Sequence, residues 1–445
     1  MDKVILGEGC FAEESIGTFS PNNNQLIVGC SGTGKSMSVL LPTILNTDES
    51  SIIGTYSKRG EARKIAAYLE SKGYRVLICD LVEPETSTVS FDPLDYVRSY
   101  LDVEDLSKTV LATDPGVKKM IDPYWTDGGA LLLTSLMLAV LMTKENATMS
   151  DVLDLFDLLK TKEVGKGMRT TLDELFAHIS REVGSCQAVD SFADFQMLPY
   201  STAGCIRDTL AKSVRKMFPG PIRKMMRIGR KIDFEKLATE KTALLIITSP
   251  VNTAAYAFAN LMFSVAIKQL LEFAEKCEGH RLPRPVRLLF DDFACAAKIN
   301  DFSKHIAIFR AAGVSAMMLL QSESQLISLY SEEEAVNIIN NCSAYVYFPG
   351  GMDLKTCKNI SERMDLPLMD IMYAPVGHVI VMQSGKEPVI VPRYDTFSSP
   401  EYSKFLAVNE DREKAETGRG GLQPVMKKRS RKNCDQVVEP LDKTG

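Results

Sequence analysis

Residues 29–36 have the composition and spacing of a phosphate-binding loop. They read Gly-Cys-Ser-Gly-Thr-Gly-Lys-Ser, which matches the pattern GxxxxGK[ST] over its full length. An apolar run at 26–28 precedes the loop, and residues 37–41 can open a helix. A strand would therefore deliver the loop, and the positive end of the next helix would point at the phosphates. The predicted nucleotide-binding residues are Gly29, Cys30, Ser31, Gly32, Thr33, Gly34, Lys35 and Ser36.

The loop implies ATP and Mg²⁺ as cofactors. Its backbone N–H groups can wrap the phosphates, and Lys35 can reach the β- and γ-phosphates. The hydroxyl of Ser36 can ligate Mg²⁺.

Two acidic residues end a later apolar segment, Val-Arg-Leu-Leu-Phe-Asp-Asp at 286–292. Asp291 can hold Mg²⁺ through water, and Asp292 can orient or deprotonate an attacking water. Many such enzymes carry Glu at the second position, and Asp is one methylene shorter. Because a misplacement of about 1 Å can cost ~10²-fold in rate, slow hydrolysis or dependence on a partner is expected.

Two further polar residues follow the acidic pair. Gln321 closes an apolar segment, where it could sense the γ-phosphate or position water. Arg310 ends a helical segment, and two interpretations stay open for it. It is either a cation that complements the helix dipole or an arginine finger that reaches the nucleotide of the next subunit.

Short apolar segments alternate with helical patterns along the chain. The predicted strands are residues 25–28, 51–56, 75–80, 243–248, 287–292, 316–321, 344–348 and 378–382. Most are continuously apolar, as expected for parallel strands buried on both faces. Helices are predicted at 60–72, 253–277, 300–312 and 332–340. This alternation predicts an α/β fold whose mostly parallel sheet is covered by helices.

Residues 96–240 lack a convincing strand and carry helical periodicity at 129–144, 149–160, 169–179 and 208–217. They predict an inserted all-α domain that interrupts a nucleotide-binding domain made of residues 1–95 and 241–400. The polar residues 401–445, with a basic cluster at 427–432, predict a disordered tail. That cluster could contact DNA or anionic lipid.

The composition narrows the class of protein. The net charge of −5 excludes a general polycation, so any contact with nucleic acid needs a local patch. Ten scattered Cys without a CxxC pair, and only four His, argue against a zinc site or a disulfide scaffold and fit a reducing cytosol. The longest apolar stretch, 128–142, is shorter than the roughly 20 residues of a membrane span and predicts a buried helix.

In order, these segments resemble the VirD4/TraG-type coupling proteins of conjugative type IV secretion systems, over about residues 20 to 395. The resemblance is carried by the loop followed by Val-Leu-Leu-Pro-Thr, Ser-Lys-Arg-Gly-Glu at 57–61 and Ser-Phe-Asp-Pro-Leu at 90–94. It continues with Phe-Asp-Asp-Phe-Ala at 290–294, Arg-Ala-Ala-Gly-Val at 310–314 and Gln-Ser-Glu-Ser-Gln-Leu at 321–326, followed by Tyr330.

The resemblance implies a RecA-like motor with a helical insertion, assembled as a hexameric ring at the inner face of the membrane. There it would bring relaxase–DNA complexes to a secretion channel. The functional positions that it implies are Lys35, Ser36, Asp291, Arg310 and Gln321. Two departures stand out. Family members usually have Asp-Lys-Gly-Glu after the second strand, and this Asp is missing from Thr-Tyr-Ser-Lys-Arg-Gly-Glu at 55–61. Most also carry N-terminal membrane helices. Three expectations stay open here: a soluble variant, a cytoplasmic, peripheral protein whose membrane anchor is a second protein, or a trimmed chain.

A basic segment at 212–231 contains no acidic residue and is the clearest candidate for DNA binding. The predicted contacts to single- or double-stranded DNA are Arg215, Lys216, Arg223, Lys224 and Arg227, flanked by Lys212, Arg230 and Lys231. A solvated face, or one packed against acidic neighbours, is the alternative.

Two other functions remain open at this point. One is a cytosolic DNA translocase or packaging motor without a role in secretion. The other is a nucleotide-gated docking module that recruits cargo and hydrolyses little ATP, which the short acid at 292 favours.

Overall fold

The computed structural model describes residues 2–13, 21–113, 123–158, 171–227, 230–249, 252–295 and 297–418. Its strands, in chain order, are β1 (Lys3–Gly7), β2 (Cys10–Glu13), β3 (Gln25–Gly29), β4 (Ser51–Tyr56), β5 (Arg75–Asp80), β6 (Val89–Ser90), β7 (Arg230–Lys231), β8 (Thr242–Ile247), β9 (Val286–Phe290), β10 (Val314–Leu320), β11 (Ala344–Phe348), β12 (His378–Gln383) and β13 (Val389–Pro392).

Nine of these strands form one central sheet in the order β13-β12-β11-β3-β10-β9-β4-β8-β5. The strands from β11 to β5 run parallel, and β12 and β13 pair antiparallel at one edge. Strands β3, β4, β8, β9, β10 and β11 are buried along their whole length, which explains why they read as continuous apolar runs. The predicted α/β fold is confirmed, and each predicted strand is present.

Helices cover both faces of the sheet and also form the insertion. They are α1 (Leu41–Leu45), α2 (Arg59–Ser71), α3 (Tyr100–Ala112), α4 (Pro123–Thr143), α5 (Met149–Leu158), α6 (Thr171–Val183), α7 (Gln187–Gln196), α8 (Tyr200–Met217), α9 (Gly220–Met225), α10 (Phe234–Leu237), α11 (Thr253–Lys276), α12 (Phe302–His305), α13 (Phe309–Ala312), α14 (Glu323–Tyr330), α15 (Glu332–Asn340), α16 (Leu354–Met364), α17 (Leu368–Met372) and α18 (Pro400–Gly418). A π-type turn, Ser36–Leu40, leads directly into α1.

Alternate residues of each strand enter different cores. Leu26 and Ile53 join a large core that continues into the helical insertion, whereas Ile27 and Ile52 join a second core with α1, α2 and α18. The sheet is therefore the shared wall between two apolar layers.

The insertion is built from α3 to α9, and its ends meet beside the sheet. The short strand β7 pairs parallel with β6, and the hydroxyl of Tyr96 donates to the carbonyl of Ile232 over 2.8 Å. Lys231 forms an ion pair with Asp95 at the same place. The chain thus leaves and re-enters the sheet at nearly one point. The strand β7 is a small correction, because this region was expected to contain no strand.

Two described helices, Trp125–Thr143 and Ala254–Lys276, are long and apolar enough to cross a membrane by length and composition. The second is 89% buried in the fold, between the sheet and the insertion, where α11 packs against α3 and α8. The first, which contains the apolar stretch 128–142, is 61% buried.

Two predictions of local structure are wrong. Residues 300–312 form two short helices, α12 and α13, because the chain turns at 306–308 between them. Asp301, with a φ of 51°, precedes α12, so the first helix begins only at Phe302. The tail predicted from residue 401 instead begins with α18. Its Tyr402, Phe405 and Val408 pack into the second core, and the ring of Phe405 lies 5.7 Å from that of Tyr68. The remaining tail, with the basic cluster at 427–432, lies outside the described residues.

Candidate nucleotide-binding site

The predicted loop and the acidic pair meet at the carboxyl edge of the sheet. Strand β10 lies between β3 and β9 and pairs parallel with both, so the carboxyl ends of β3 and β9 are one strand apart. The hydroxyl of Ser36 donates to Oδ1 of Asp291 over 2.5 Å. The two side chains are therefore close enough to share one metal ion.

The loop has the backbone that phosphate binding needs. Gly32 and Gly34 have φ angles of 82° and 93°, which side chains with a Cβ rarely adopt. A Cβ on Gly29 would lie 2.5 Å from the Cβ of Phe348, so only glycine permits the approach of β11. The hydroxyl of Thr33 donates to the carbonyl of Cys30 over 2.8 Å and closes the turn. These contacts hold the loop in shape within the protein alone.

Lys35 folds back over the loop that carries it. Its Nζ donates to the carbonyls of Gly29 and Cys30, the second over 3.0 Å. Burial lowers the pKa of Lys35, while the negative charges of Asp292 and Asp291 oppose this shift. The ammonium thus lies between the loop and the acids, where it can exchange carbonyl oxygens for phosphate oxygens.

The two acids are electrostatically coupled. Burial raises the pKa of Asp291, and the hydrogen bond from Ser36 partly offsets the shift. Burial, reinforced by the charge of Asp291, raises the pKa of Asp292 to about 6. A carboxylate with a pKa near the working pH can both accept and release a proton, which suits a general base. A cation beside Asp291 would relieve the repulsion between the two acids.

Two tyrosines also face the acids, and the sequence analysis missed both. The hydroxyl of Tyr56 is buried and has no hydrogen-bond partner among the described residues, and burial raises its pKa, with a contribution from Asp291. Burial likewise raises the pKa of Tyr256 to about 12, with a contribution from Asp292. A buried hydroxyl without a partner among the described residues, in the electrostatic field of Asp291, fits a site that receives a polar ligand or hydrated metal ion.

The segment without the family's usual Asp lies at the same edge. Lys58 pairs with Glu61 over 2.9 Å, and this hydrogen bond raises the pKa of Lys58, with a lesser contribution from Asp291. Arg59 binds Asp80 and Glu83, each over 2.5 Å. Arg59 thus holds the segment against the end of β5. The charges of Lys58 and Glu61 also act on the carboxylate of Asp291.

Gln321 lies at the same edge, and Arg310 lies at the opposite one. Gln321 directly follows β10, its side chain is exposed, and its backbone N–H donates to Oε1 of Gln325 over 3.1 Å. Arg310 is on α13, before the amino end of β10. A seven-residue strand is about 23 Å long, so Arg310 cannot contact a nucleotide bound at the loop of its own chain.

Part of the predicted DNA-binding segment is engaged within the protein. Arg223 pairs with Asp154 over 2.6 Å, Arg227 lies 3.9 Å from Asp151, and Lys231 pairs with Asp95. In contrast, four other cations are exposed and form no ion pair with any described residue: Lys212, Lys216, Lys224 and Arg230. Arg215 is also exposed, on α8.

Arg393, which no motif indicated, reaches the phosphate-binding loop from the antiparallel edge of the sheet. Its Nη1 lies 3.5 Å from the carbonyl oxygen of Thr33. Only the pairing of β12 with β13 carries this residue to the loop, so the sequence offered no local signal for it.

The comparisons with known proteins agree with this architecture. Residues 4–364 match the family model described as type IV secretory system conjugative DNA transfer. Among solved structures, the bacterial conjugative coupling protein TrwB, in an unbound form, matches with a TM-score of 0.61 and 17% identity, covering 85% of this chain and 87% of that one. The plasmid coupling protein TrwB in complex with ADP and Mg²⁺ matches with a TM-score of 0.60, 17% identity and the same coverage.

VirB4 of Thermoanaerobacter pseudethanolicus matches with a TM-score of 0.56 and 14% identity, covering 90% of this chain and 98% of that one. A search of curated proteins found no match. These structural likenesses show a RecA-like α/β fold with a helical insertion, and the family model covers most of the chain. The chain therefore belongs to the family of type IV secretory system conjugative DNA transfer proteins.

Proposed function

We propose that this protein is an ATPase that acts as the coupling protein of a conjugative type IV secretion system. The observation that carries the proposal is the 2.5 Å contact between Ser36 and Asp291 at the carboxyl edge of the sheet. The complex of TrwB with ADP and Mg²⁺, a protein of similar fold, supports the same cofactors for this chain.

Each residue of the site has a role that its surroundings support. The N–H groups of the loop and Lys35 hold the phosphates, and Ser36 and Asp291 hold the metal. The metal, when bound, supplies positive charge that stabilises the negative charge developing on the phosphates. Asp292 orients or deprotonates water, since its pKa of about 6 permits proton acceptance near neutral pH. Gln321, exposed at the same edge, reports the state of the nucleotide.

In this proposal the protein assembles into a homo-oligomeric ring, and Arg310 acts between neighbouring subunits of that ring. Because Arg310 lies at the opposite edge of its own sheet, it can serve catalysis only at the nucleotide of another subunit. We infer a hexamer at the cytoplasmic face of the membrane, with a membrane-anchor partner. Its partners would be a relaxase–DNA complex and components of the secretion channel.

The exposed cations of α8 and α9 are the surface proposed for DNA. Lys212, Lys216 and Lys224 are exposed without an ion pair among the described residues, so their charges are available to phosphates. Arg223 and Arg227 already face acids of α5, and their contribution to DNA binding would be smaller.

The proposal is tested by measuring ATP turnover as a function of protein concentration, with and without single-stranded DNA. Turnover per subunit should rise with concentration and rise again with DNA, and Lys35→Ala should abolish ATP binding. Failure of the purified protein to bind ATP, or unchanged binding by Lys35→Ala, would contradict the proposal.

A nucleotide-gated docking module is the second candidate, favoured by the short acid at 292. It predicts ATP binding without DNA-stimulated turnover even at high protein concentration. Asp292→Glu separates the two functions, because it restores reach to the carboxylate. A large gain in turnover would identify a motor slowed by Asp292, whereas binding without any gain would favour docking.

A further inference from the structure

The chain that follows β13 runs along the phosphate-binding loop. We call residues 393–397 the strap. The hydroxyl of Thr396 donates to the carbonyl of Met37, in the helical turn after the loop. The backbone N–H of Arg393 donates to the carbonyl of Gly377 over 2.9 Å. Both ends of the strap are therefore fixed without any help from the guanidinium of Arg393.

The guanidinium itself makes only a weak contact. Its Nη1 lies 3.5 Å from the carbonyl oxygen of Thr33, which is the outer limit for a hydrogen bond. The side chain is exposed and forms no ion pair with any described residue. Arg393 is therefore a cation without a strong partner, held at the lip of a loop built for anions.

The direction of approach places this cation on the flank away from the acids. In the sheet, β9 with Asp291 and Asp292 lies on one side of β3, and β11, β12 and β13 lie on the other. Nη1 of Arg393 lies 3.1 Å from the position that a Cβ on Gly34 would occupy. Gly34 directly precedes Lys35, so the guanidinium is next to the part of the loop that would hold phosphate.

We propose that Arg393 is a nucleotide-binding residue that donates hydrogen bonds to a phosphate group of the bound nucleotide, exchanging its long contact with Thr33 for the ligand. The inference rests on the proposed function, because it requires a nucleotide at the loop. Guanidinium suits the role, since its rigid fork of donors matches phosphate oxygens. The phosphates would then meet positive charge on both sides of the loop. On one side it would come from a metal ion held by Asp291, and on the other from the guanidinium of Arg393.

The test is equilibrium binding of fluorescent mant-ADP and of inorganic pyrophosphate, both with Mg²⁺, to the full chain and its variants. Arg393→Gln should weaken both ligands by a similar factor of about 10- to 100-fold, as for a lost hydrogen bond between charged groups. Arg393→Lys should retain part of the affinity because it keeps the charge. The control, Arg412→Gln, removes an arginine of α18 that pairs with Glu70 of α2, and this variant should bind both ligands as the wild type does.

A structural role would give a different pattern. Thr396→Val removes the hydrogen bond of the strap to Met37 but keeps the Arg393 side chain. The proposal is overturned if this variant lowers the affinity for pyrophosphate as much as Arg393→Gln does. It is also overturned if Arg393→Gln lowers the melting temperature of the nucleotide-free protein by more than Arg412→Gln does. Unchanged affinity in Arg393→Gln overturns it, as does weakening of mant-ADP alone, which indicates a contact to the nucleoside. If the wild type binds neither ligand, both the proposed function and this inference fail. If the wild type binds both ligands and Arg393→Gln binds them equally well, only the inference about Arg393 fails.

Discussion

Ser36 and Asp291 are 255 positions apart in the chain, and their side-chain oxygens lie 2.5 Å apart. The hydroxyl donates to a half-buried carboxylate, and this contact joins the turn after the loop to the end of β9. Because a hydroxyl can turn from donor to metal ligand, the pair can open to admit a cation without movement of the backbone.

Asp291→Asn should remove the dependence of nucleotide binding on Mg²⁺. The amide keeps the size and can still pair with Ser36, but it lacks the charge that holds the metal. We expect ADP affinity with Mg²⁺ to fall at least about 10-fold, and affinity with EDTA to stay equal to that of the wild type. Calorimetry with and without Mg²⁺ checks this. Persistent enhancement by Mg²⁺ in the variant would place the metal elsewhere.

Turnover should fall as the pH falls through about 6. The pKa of Asp292 is raised to about 6 by burial and by the charge of Asp291, and only the ionised carboxylate can accept a proton. Above this pH, Asp292 is ionised and turnover should be constant on this limb. The profile of kcat between pH 5 and 8 measures the effect. A profile that is flat through pH 6, at saturating nucleotide, would exclude Asp292 as the base.

The same raised pKa affects the stability of the fold in the opposite direction: a higher pH favours turnover but lowers stability. The folded-state pKa of Asp292 lies above the value of 3.8 for an unperturbed Asp, so the folded chain holds the proton more tightly than the unfolded chain does. Its contribution to stability is present at low pH and is lost as the pH rises through about 6. Asp292→Asn should therefore raise the melting temperature more at pH 7 than at pH 4. Equal shifts at the two pH values would contradict the raised pKa.

Subunits with complementary defects should restore each other's activity. Arg310→Ala keeps a complete loop, and Lys35→Ala keeps Arg310. If Arg310 acts at the next subunit, a mixture should turn over more ATP than the sum of the two variants alone. Arg281→Ala is a matched control, because Arg281 donates to the carbonyl of Arg310 at the same edge. Two outcomes would contradict this role: no gain in mixtures that are shown to co-assemble, or full activity of Arg310→Ala alone. Arg310 would then only complement the dipole of its own helix.

Neutralising the exposed lysines of α8 and α9 should reduce the salt dependence of DNA binding. Each phosphate contact to single-stranded DNA contributes about 0.7 to the slope of log K against log salt. The triple variant of Lys212, Lys216 and Lys224 to Ala should lower that slope by about 2. A control with the same change in charge replaces Lys64, Lys355 and Lys404, which are exposed elsewhere. Equal slopes for the two triple variants would move the DNA site away from the insertion.

The buried carboxylate of Glu323, two residues after Gln321, should be important for folding. Glu323 is fully buried and accepts hydrogen bonds from Tyr345 over 2.8 Å, Asn359 over 2.6 Å and Arg363. Arg363→Met leaves this carboxylate without its cation and should lower the free energy of unfolding by about 3 kcal/mol. Lys355→Met breaks an exposed pair with Glu332 and should change it by less than about 1 kcal/mol. Denaturant unfolding measures both, and a similar small loss for the two variants would refute the role of the buried network.

The sequence was sufficient where local pattern and tertiary environment agree. Strands such as β4 and β11 were predicted with their observed bounds, because strands buried on both faces must be continuously apolar. The loop and the acidic pair were predictable because each follows a strand, and parallel strands carry their carboxyl ends to the same edge. The spacing of 3 between Tyr402, Phe405 and Val408 in α18 was hidden by polar neighbours.

Long-range geometry was beyond the sequence. Nothing in the pattern around Arg393 indicates that an antiparallel pair of strands returns it to the loop. The position of Arg310 likewise depends on the amino end of β10 being at the far edge of the sheet. The exposed β13, with Val389 and Ile390 partly open to solvent, carries too few buried positions to read as a strand.

Helix α11 is apolar enough to resemble a membrane span, yet it packs against α3 and α8 of the insertion, and the ring of its Phe263 lies 4.4 Å from that of Phe290 in β9. The insertion thus shields the most hydrophobic helix of the nucleotide-binding domain from solvent. Deletion of the residues between β6 and β7 would expose this helix. The shortened chain should therefore aggregate or partition into detergent, even though β6 and β7 already pair and could be joined directly.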